Sequence, residues 1–141
     1  MEQNKEKLGF DYEEELKKGF KTLFPTHVVN ATKKQDTHEG TDFFVNGIRI
    51  DTTYAFSEKK RKSRGNLIMV SEAENGMFIG IRTGNGYKKF KEPVVVIGHD
   101  TDDNYMVWAW IIPKLKSMVT QSLWNSIVDK YCEYLDSIES A

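Results

Sequence analysis

The chain has 141 residues, 39% hydrophobic and 12% aromatic, with 20 Lys and Arg against 21 Asp and Glu for a net charge of −1. That size suits one domain, 1–141, since domains peak at roughly 100–150 residues; near-neutrality excludes a global basic field, so any nucleic-acid binding has to come from a local patch. Cys132 stands alone, which excludes an internal disulfide and fits a reducing, cytoplasmic compartment; the charged start MEQNKEKLGF is no signal peptide, and the longest apolar run, Met106 to Ile112, falls far short of the ~20 residues that span a membrane.

Residues 5–24 predict a helix, with Tyr12, Leu16, Phe20 and Leu23 at helical spacing and Pro25 as its stop. His27 to Thr32 is a candidate first strand and Lys33 to Glu39 a polar loop. Gly40 to Phe56, GTDFFVNGIRIDTTYAF, predicts two short strands joined at Asn46-Gly47, the strongest short-range hairpin signal. Ser57 to Asn66 is a charged, exposed break. Leu67–Val70 and Met77–Arg82 predict strands around a turn at Glu74-Asn75-Gly76. A second turn at Thr83-Gly84-Asn85-Gly86 precedes Tyr87 to Phe90. Pro93 opens an apolar strand, Val94 to Gly98. After an acidic turn, Asp100 to Asn104, an aromatic strand runs from Tyr105 to Ile112 and ends at Pro113. A final helix starts near Thr120, with Leu123, Trp124, Ile127, Val128, Tyr131, Leu135 and Ile138 as its apolar stripe. Helix, strands, helix is the order of an α/β or α+β sandwich with a mixed sheet.

Each strand of the Asn46-Gly47 hairpin carries one acid. Period-two alternation puts Asp42 with Phe44 on one strand, and Arg49, Asp51 and Thr53 together on the next, with Ile48, Ile50, Thr52 and Tyr54 pointing the other way. A polar group in so apolar a strand costs on the order of 2–7 kcal/mol if nothing offsets it. A divalent cation shared by two neighbouring acids would offset both.

Three short motifs carry a family resemblance: Gly9-Phe10-Asp11-Tyr12-Glu13 with Leu16 and Phe20, then Gly40-Thr41-Asp42, then Ile50-Asp51-Thr52-Thr53. Together they resemble the PD-(D/E)XK nuclease superfamily over roughly residues 8–56. The resemblance implies a restriction-endonuclease-like mixed sheet with an N-terminal and a C-terminal helix packed on it. It further implies Mg²⁺ or Mn²⁺ held by Asp42, Asp51, Glu13 and the Thr52 carbonyl, and hydrolysis of a phosphodiester in nucleic acid, DNA before RNA. For a stand-alone chain of this size it implies a homodimer that cuts two strands.

One position departs from the family pattern. The lysine expected two residues after the second acid is Thr53 here, which carries no positive charge. Arg49 on the same strand face, or Lys88 or Lys89 on a neighbouring strand, are the candidate replacements; an enzyme that works without the lysine is a second reading. A third is a catalytically inactive member that binds nucleic acid or a protein, such as a nuclease machine it blocks. The acids also admit plainer roles: Glu13 sits among Glu14 and Glu15 near a helix start, where acids complement the helix dipole.

The cluster Lys59, Lys60, Arg61, Lys62, Arg64 is a solvated loop in the plain reading and a phosphate contact in the functional one, as is Lys89. Gly84-Asn85-Gly86 with Tyr87 and Lys88 is a hairpin turn before it is a phosphate cradle. His27, His38 and His99 have no zinc spacing. Trp108 and Trp110 would share a strand face beneath the last helix.

Overall fold

The computed structural model describes residues 5–38, 40–54, 65–72, 76–99 and 109–139. Helix α1, Lys5–Leu23, buries Leu8, Tyr12, Leu16 and Phe20 along one face. Strand β1 is Val28–Asn30. The segment expected to be loop is instead a short helix, α2, Lys33–His38. Thr32 and Gln35 build it: Thr32 Oγ1 accepts from the Gln35 amide at 3.2 Å, and Gln35 Oε1 accepts from the Thr32 amide at 2.8 Å. This reciprocal box satisfies two amides at the helix start.

Strands β2, Phe43–Val45, and β3, Ile48–Thr53, form the expected hairpin. Asn46 and Gly47 have φ of 51° and 81°, the pair of left-handed residues that a tight two-residue turn requires. Strand β4 is Asn66–Glu72, β5 Met77–Asn85 and β6 Lys88–His99. The second turn is narrower than expected: Thr83 to Asn85 stay in β5, and Gly86-Tyr87 alone make the reversal. Pro93 does not open β6 but lies inside it. The β5–β6 ladder tolerates it by breaking: Arg82 pairs with Val94 and Gly84 with Lys89, so two steps on β5 oppose five on β6. A residue without an N–H is accommodated where no ladder bond is made.

The six strands lie in the order β1-β2-β3-β6-β5-β4, with β3 parallel to β6 and every other pair antiparallel. The fold is mixed α/β, with the N-terminal and C-terminal helices packed on the sheet, as expected. The aromatic strand expected at Tyr105 to Ile112 is corrected where it is described: Ala109 to Ile111 are helical, and a 3₁₀ turn follows at Ile112–Lys114. Pro113 suits that helical start, where its missing N–H has no partner to lose. Trp110 therefore does not pack under the last helix. It is 66% exposed, with the Lys114 ammonium 4.7 Å from its ring.

Helix α3, Leu115–Met118, packs on α1, and α4, Gln121–Glu139, closes the chain. Thr120 Oγ1 caps α4 by accepting from the Leu123 amide at 3.1 Å. One core holds these elements together. Leu8, Tyr12, Leu16 and Phe20 of α1 meet Ile50, Ile79, Ile81, Val95 and Ile97 of the sheet and Trp124 and Ile127 of α4. The Phe20 and Trp124 rings touch edge to face, 5.8 Å apart, so both long helices cover the same sheet face. The other face carries a row set by register: Val29, Phe44, Arg49, Val94, Arg82 and Leu67, one residue from each strand. No described helix is long and apolar enough to cross a membrane.

Candidate nucleic-acid interface and acidic cleft

The first acid of the hairpin ends its ladder. Asp42 precedes β2, and its Oδ2 accepts from the Thr52 amide at 2.7 Å and the Thr52 hydroxyl at 3.0 Å. The carboxylate thus replaces a main-chain acceptor where β2 stops. Burial, first of all, raises its pKa; the Thr52 amide lowers it, and Asp36 raises it again. Glu13 of α1 joins the same group. Its carboxyl is pushed up to about 7, first by burial and then by the charge of Asp42, against the pull of Lys17. Lys17 Nζ lies 3.6 Å from Glu13 Oε2 and 3.1 Å from Glu14 Oε1.

Glu13, Asp36 and Asp42, with Lys17, Lys33 and Thr32, line a cleft of about 330 Å³. Asp36 was missed by sequence reasoning because its segment reads as loop; the Thr32/Gln35 box was the available signal. Asp51 belongs elsewhere. Half-buried, it pairs in register with Val96 on the strand face of Arg49 and Thr53, while Asp42 turns to Thr52 and α1. Among the described residues, no group of three or more His, Cys, Asp or Glu is gathered tightly enough to hold a metal ion. Glu13 and Asp42 offer hard oxygen donors of the kind Mg²⁺ prefers, but they are two.

Across the sheet a second cleft has the opposite sign. It measures about 670 Å³ and is lined by Arg49, Arg82, Lys88, Lys89 and Lys91, with Phe90, Glu92 and Gly40. The broken stretch of β6 builds it, because residues 90–93 leave the ladder and carry Lys91 and Glu92 outward. Tyr134 of α4 holds that stretch: its hydroxyl lies 2.9 Å from both the Thr83 and Phe90 carbonyls. Arg49 is fixed on the floor. Its Nε and Nη2 donate to Glu92 Oε2 at 3.2 and 2.9 Å, its Nη1 donates to Thr41 Oγ1 at 3.1 Å, and the Phe44 ring lies 5.3 Å from the guanidinium. Arg82 lies over Phe90 at 5.4 Å, and its buried Nε has no hydrogen-bond partner among the described residues.

The three cations proposed from sequence as lysine replacements, Arg49, Lys88 and Lys89, therefore share one cleft. Arg82 and Lys91 join them and were missed. Arg82 follows the apolar run that opens β5, and only its alternation with Phe78 and Gly80 put it on the open face. Among the described residues, no carboxylate pairs with Arg82, Lys88, Lys89 or Lys91. Thr53 is buried. The cluster Lys59 to Arg64, Trp108, Glu74-Asn75 and Asp100 to Asn104 lie outside the described residues. His27 is exposed, 3.0 Å from Thr26 Oγ1, and Cys132 is exposed on α4.

Compared with known proteins, the chain matches no family model, no curated protein and no solved structure.

Proposed function

We propose that this chain binds nucleic acid, DNA in the first instance, through the cleft between β3, β6 and the end of β5. The observation that carries this reading is the gathering of Arg49, Arg82, Lys88, Lys89 and Lys91 around one cleft in a chain of net charge −1. Glu92 offsets Arg49, but the other four cations repel one another and cost stability; a polyanion is the ligand that repays them. The test is fluorescence anisotropy with labelled DNA over a salt series. Replacing Lys88, Lys89 and Lys91 by Gln is expected to weaken binding and flatten the salt dependence by roughly 0.7–0.9 in slope per lost phosphate contact. Unchanged affinity and slope would refute it.

Metal-dependent hydrolysis of that nucleic acid is the second reading, favoured by one observation: two half-buried carboxyls, Glu13 and Asp42, held together with raised pKa values. Mg²⁺ or Mn²⁺ at these oxygens would supply an activated water and neutralise phosphate charge; of the other residues expected at the site, Thr52 stays beside Asp42, whereas Asp51 and Thr53 lie on the other face of β3. Lys17 restrains the Glu13 charge from α1. Incubation with linear and branched DNA and either metal, against Glu13→Gln and Asp42→Ala, decides it. Cleavage abolished by both variants supports hydrolysis; intact DNA leaves a binding protein of nuclease-like layout. Sedimentation of the same preparation tests the homodimer that a two-strand cut calls for. Action in the cytoplasm is part of the proposal, consistent with the lone thiol of Cys132.

A further inference from the structure

The basic cleft has an aromatic neighbour that charge alone does not explain. Gly86 and Tyr87 make the whole reversal between β5 and β6, closed by the Asn85–Lys88 pair, with Gly86 at φ 64°. A two-residue turn with glycine first leaves its second position open to any residue. Here that residue is a tyrosine, and it is completely exposed, at 107% of its reference area. A ring so exposed packs against none of the described residues. It lies next to Lys88 and Lys89, the first residues of the cleft wall.

We infer, resting on the nucleic-acid reading above, that the ligand is a single strand: a base stacks on Tyr87 while neighbouring phosphates run along Lys88, Lys89 and Lys91 to Arg49 and Arg82. Two observations favour a single strand over a duplex. The cleft's anchoring cations are recessed. Arg49 has a side chain only 15% exposed, and Arg82 is half-buried with its Nε inside. A stiff double helix presents its phosphates on a wide convex cylinder and reaches rim lysines but not a floor of this size. A single strand is narrow and bends, so its phosphates reach the floor. Stacking likewise needs a base whose face is not already covered by its neighbours, which the single strand supplies. Phe90 is not the platform, because the Arg82 guanidinium already lies over its ring. Tyr87 is the exposed aromatic adjoining the cleft.

The test compares a labelled oligothymidylate of about twelve nucleotides, the equivalent oligouridylate, and a blunt duplex of the same length, a size that spans one binding groove of this kind. Wild type is expected to bind either single strand at least ~10-fold more tightly than the duplex. Tyr87→Ala is expected to weaken single-strand binding by roughly 5- to 150-fold, the range of one base–aromatic stack. The salt slope and the duplex affinity should stay unchanged, and Tyr87→Phe should retain wild-type binding. Because Tyr87 touches no core residue, these variants fold. Equal binding of duplex and single strand, or a Tyr87→Ala protein that binds as wild type, overturns the inference while leaving nucleic-acid binding intact. No binding of any probe by wild type removes both readings together.

Discussion

The Tyr12 hydroxyl and His99 Nδ1 lie 2.6 Å apart with both side chains fully buried, joining the middle of α1 to the last residue of β6. The rings meet edge to face at 5.5 Å. Burial keeps the imidazole neutral, lowering its pKa from 6.5 to about 4, and holds the phenol well above 10.0. Removing one partner leaves a buried polar atom unsatisfied, so Tyr12→Phe is expected to cost about 1–3 kcal/mol. Urea unfolding at neutral pH measures it, and an unchanged midpoint would show the hydrogen bond to be dispensable.

His99 and Glu13 oppose each other in their pH dependence. The folded pKa of His99 lies below its unfolded value, so the unfolded chain takes up the proton first. Its contribution is present above 6.5 and lost as pH falls toward 4, up to about 3 kcal/mol at 1.36 kcal/mol per unit. Glu13 has the reverse sign. Its folded pKa is raised from 4.5 to about 7, so its contribution is full below 4.5 and lost as pH rises through 7. The His99 and Glu13 slopes therefore oppose each other between 4.5 and 6.5, leaving in the wild type the decline with rising pH that the raised Asp42 carboxyl adds. Glu13→Gln removes one slope and unmasks the other: its stability should climb with pH across that window, and exceed wild type at about pH 8, where the Glu13–Asp42 repulsion is fully developed. Parallel urea profiles for the two proteins would contradict this.

Cation binding at the acidic cleft should displace the proton that Glu13 and Asp42 share. Addition of Mg²⁺ or Mn²⁺ to weakly buffered protein near the Glu13 value of about 7 is expected to release protons, and Glu13→Gln should abolish the release. Calorimetry in buffers of different ionisation enthalpy reads this directly. A buffer-independent heat, or none, would count against a metal at these residues whatever the nuclease assay shows.

Local features were legible in the sequence, and long-range ones were not. The α1 stripe and the Asn46-Gly47 hairpin follow from spacing and turn chemistry within a few residues, and the structure has both. Helix α2 was equally local but hidden, because Lys33 to His38 has no apolar stripe and its only signal is the Thr32/Gln35 box. Pro93 misled for the opposite reason: proline normally marks a strand boundary, and only the broken ladder lets it sit within β6. The basic cleft needed the parallel β3–β6 pairing, which brings Arg49 against Glu92, 43 positions away in the chain. The two acids of the hairpin were read as sharing one cation. Alternation holds for Asp51, inside β3, but Asp42 lies beyond the end of β2 and follows its hydrogen bonds to Thr52 instead.

Tyr134 was passed over for Leu135 in the α4 stripe, yet it is the residue that ties α4 to the cleft. Its hydroxyl serves two carbonyls of the broken ladder, those of Thr83 and Phe90. Tyr134→Phe keeps the ring and removes both contacts, so it is expected to destabilise by about 1–3 kcal/mol. If the bulge positions Lys89 and Lys91, the variant should also bind nucleic acid more weakly at temperatures where it is fully folded. Loss of stability with undiminished affinity would assign Tyr134 to the fold alone.

Gly19 separates helix propensity from packing. In the interior of α1 a glycine should be about 1 kcal/mol worse than alanine, so propensity alone makes Gly19→Ala stabilising. The geometry says otherwise. A Cβ at this position would lie 2.7 Å from Val119 Cβ and 2.9 Å from the Lys116 carbonyl oxygen, inside contact distance of backbone that cannot rotate away. Helix α1 would have to lift off α3, loosening the seat of buried Leu115 and Val119. Overpacking of this kind costs about 1–3 kcal/mol, more than the propensity gain. Gly19→Ala is thus expected to lower the unfolding midpoint, and the double variant Gly19→Ala with Val119→Ala, which removes the Cγ2 at 2.8 Å but keeps the Cβ at 2.7 Å, should recover only a small part of the loss. A single variant more stable than wild type would mean that α1 and α3 approach less closely than these distances state.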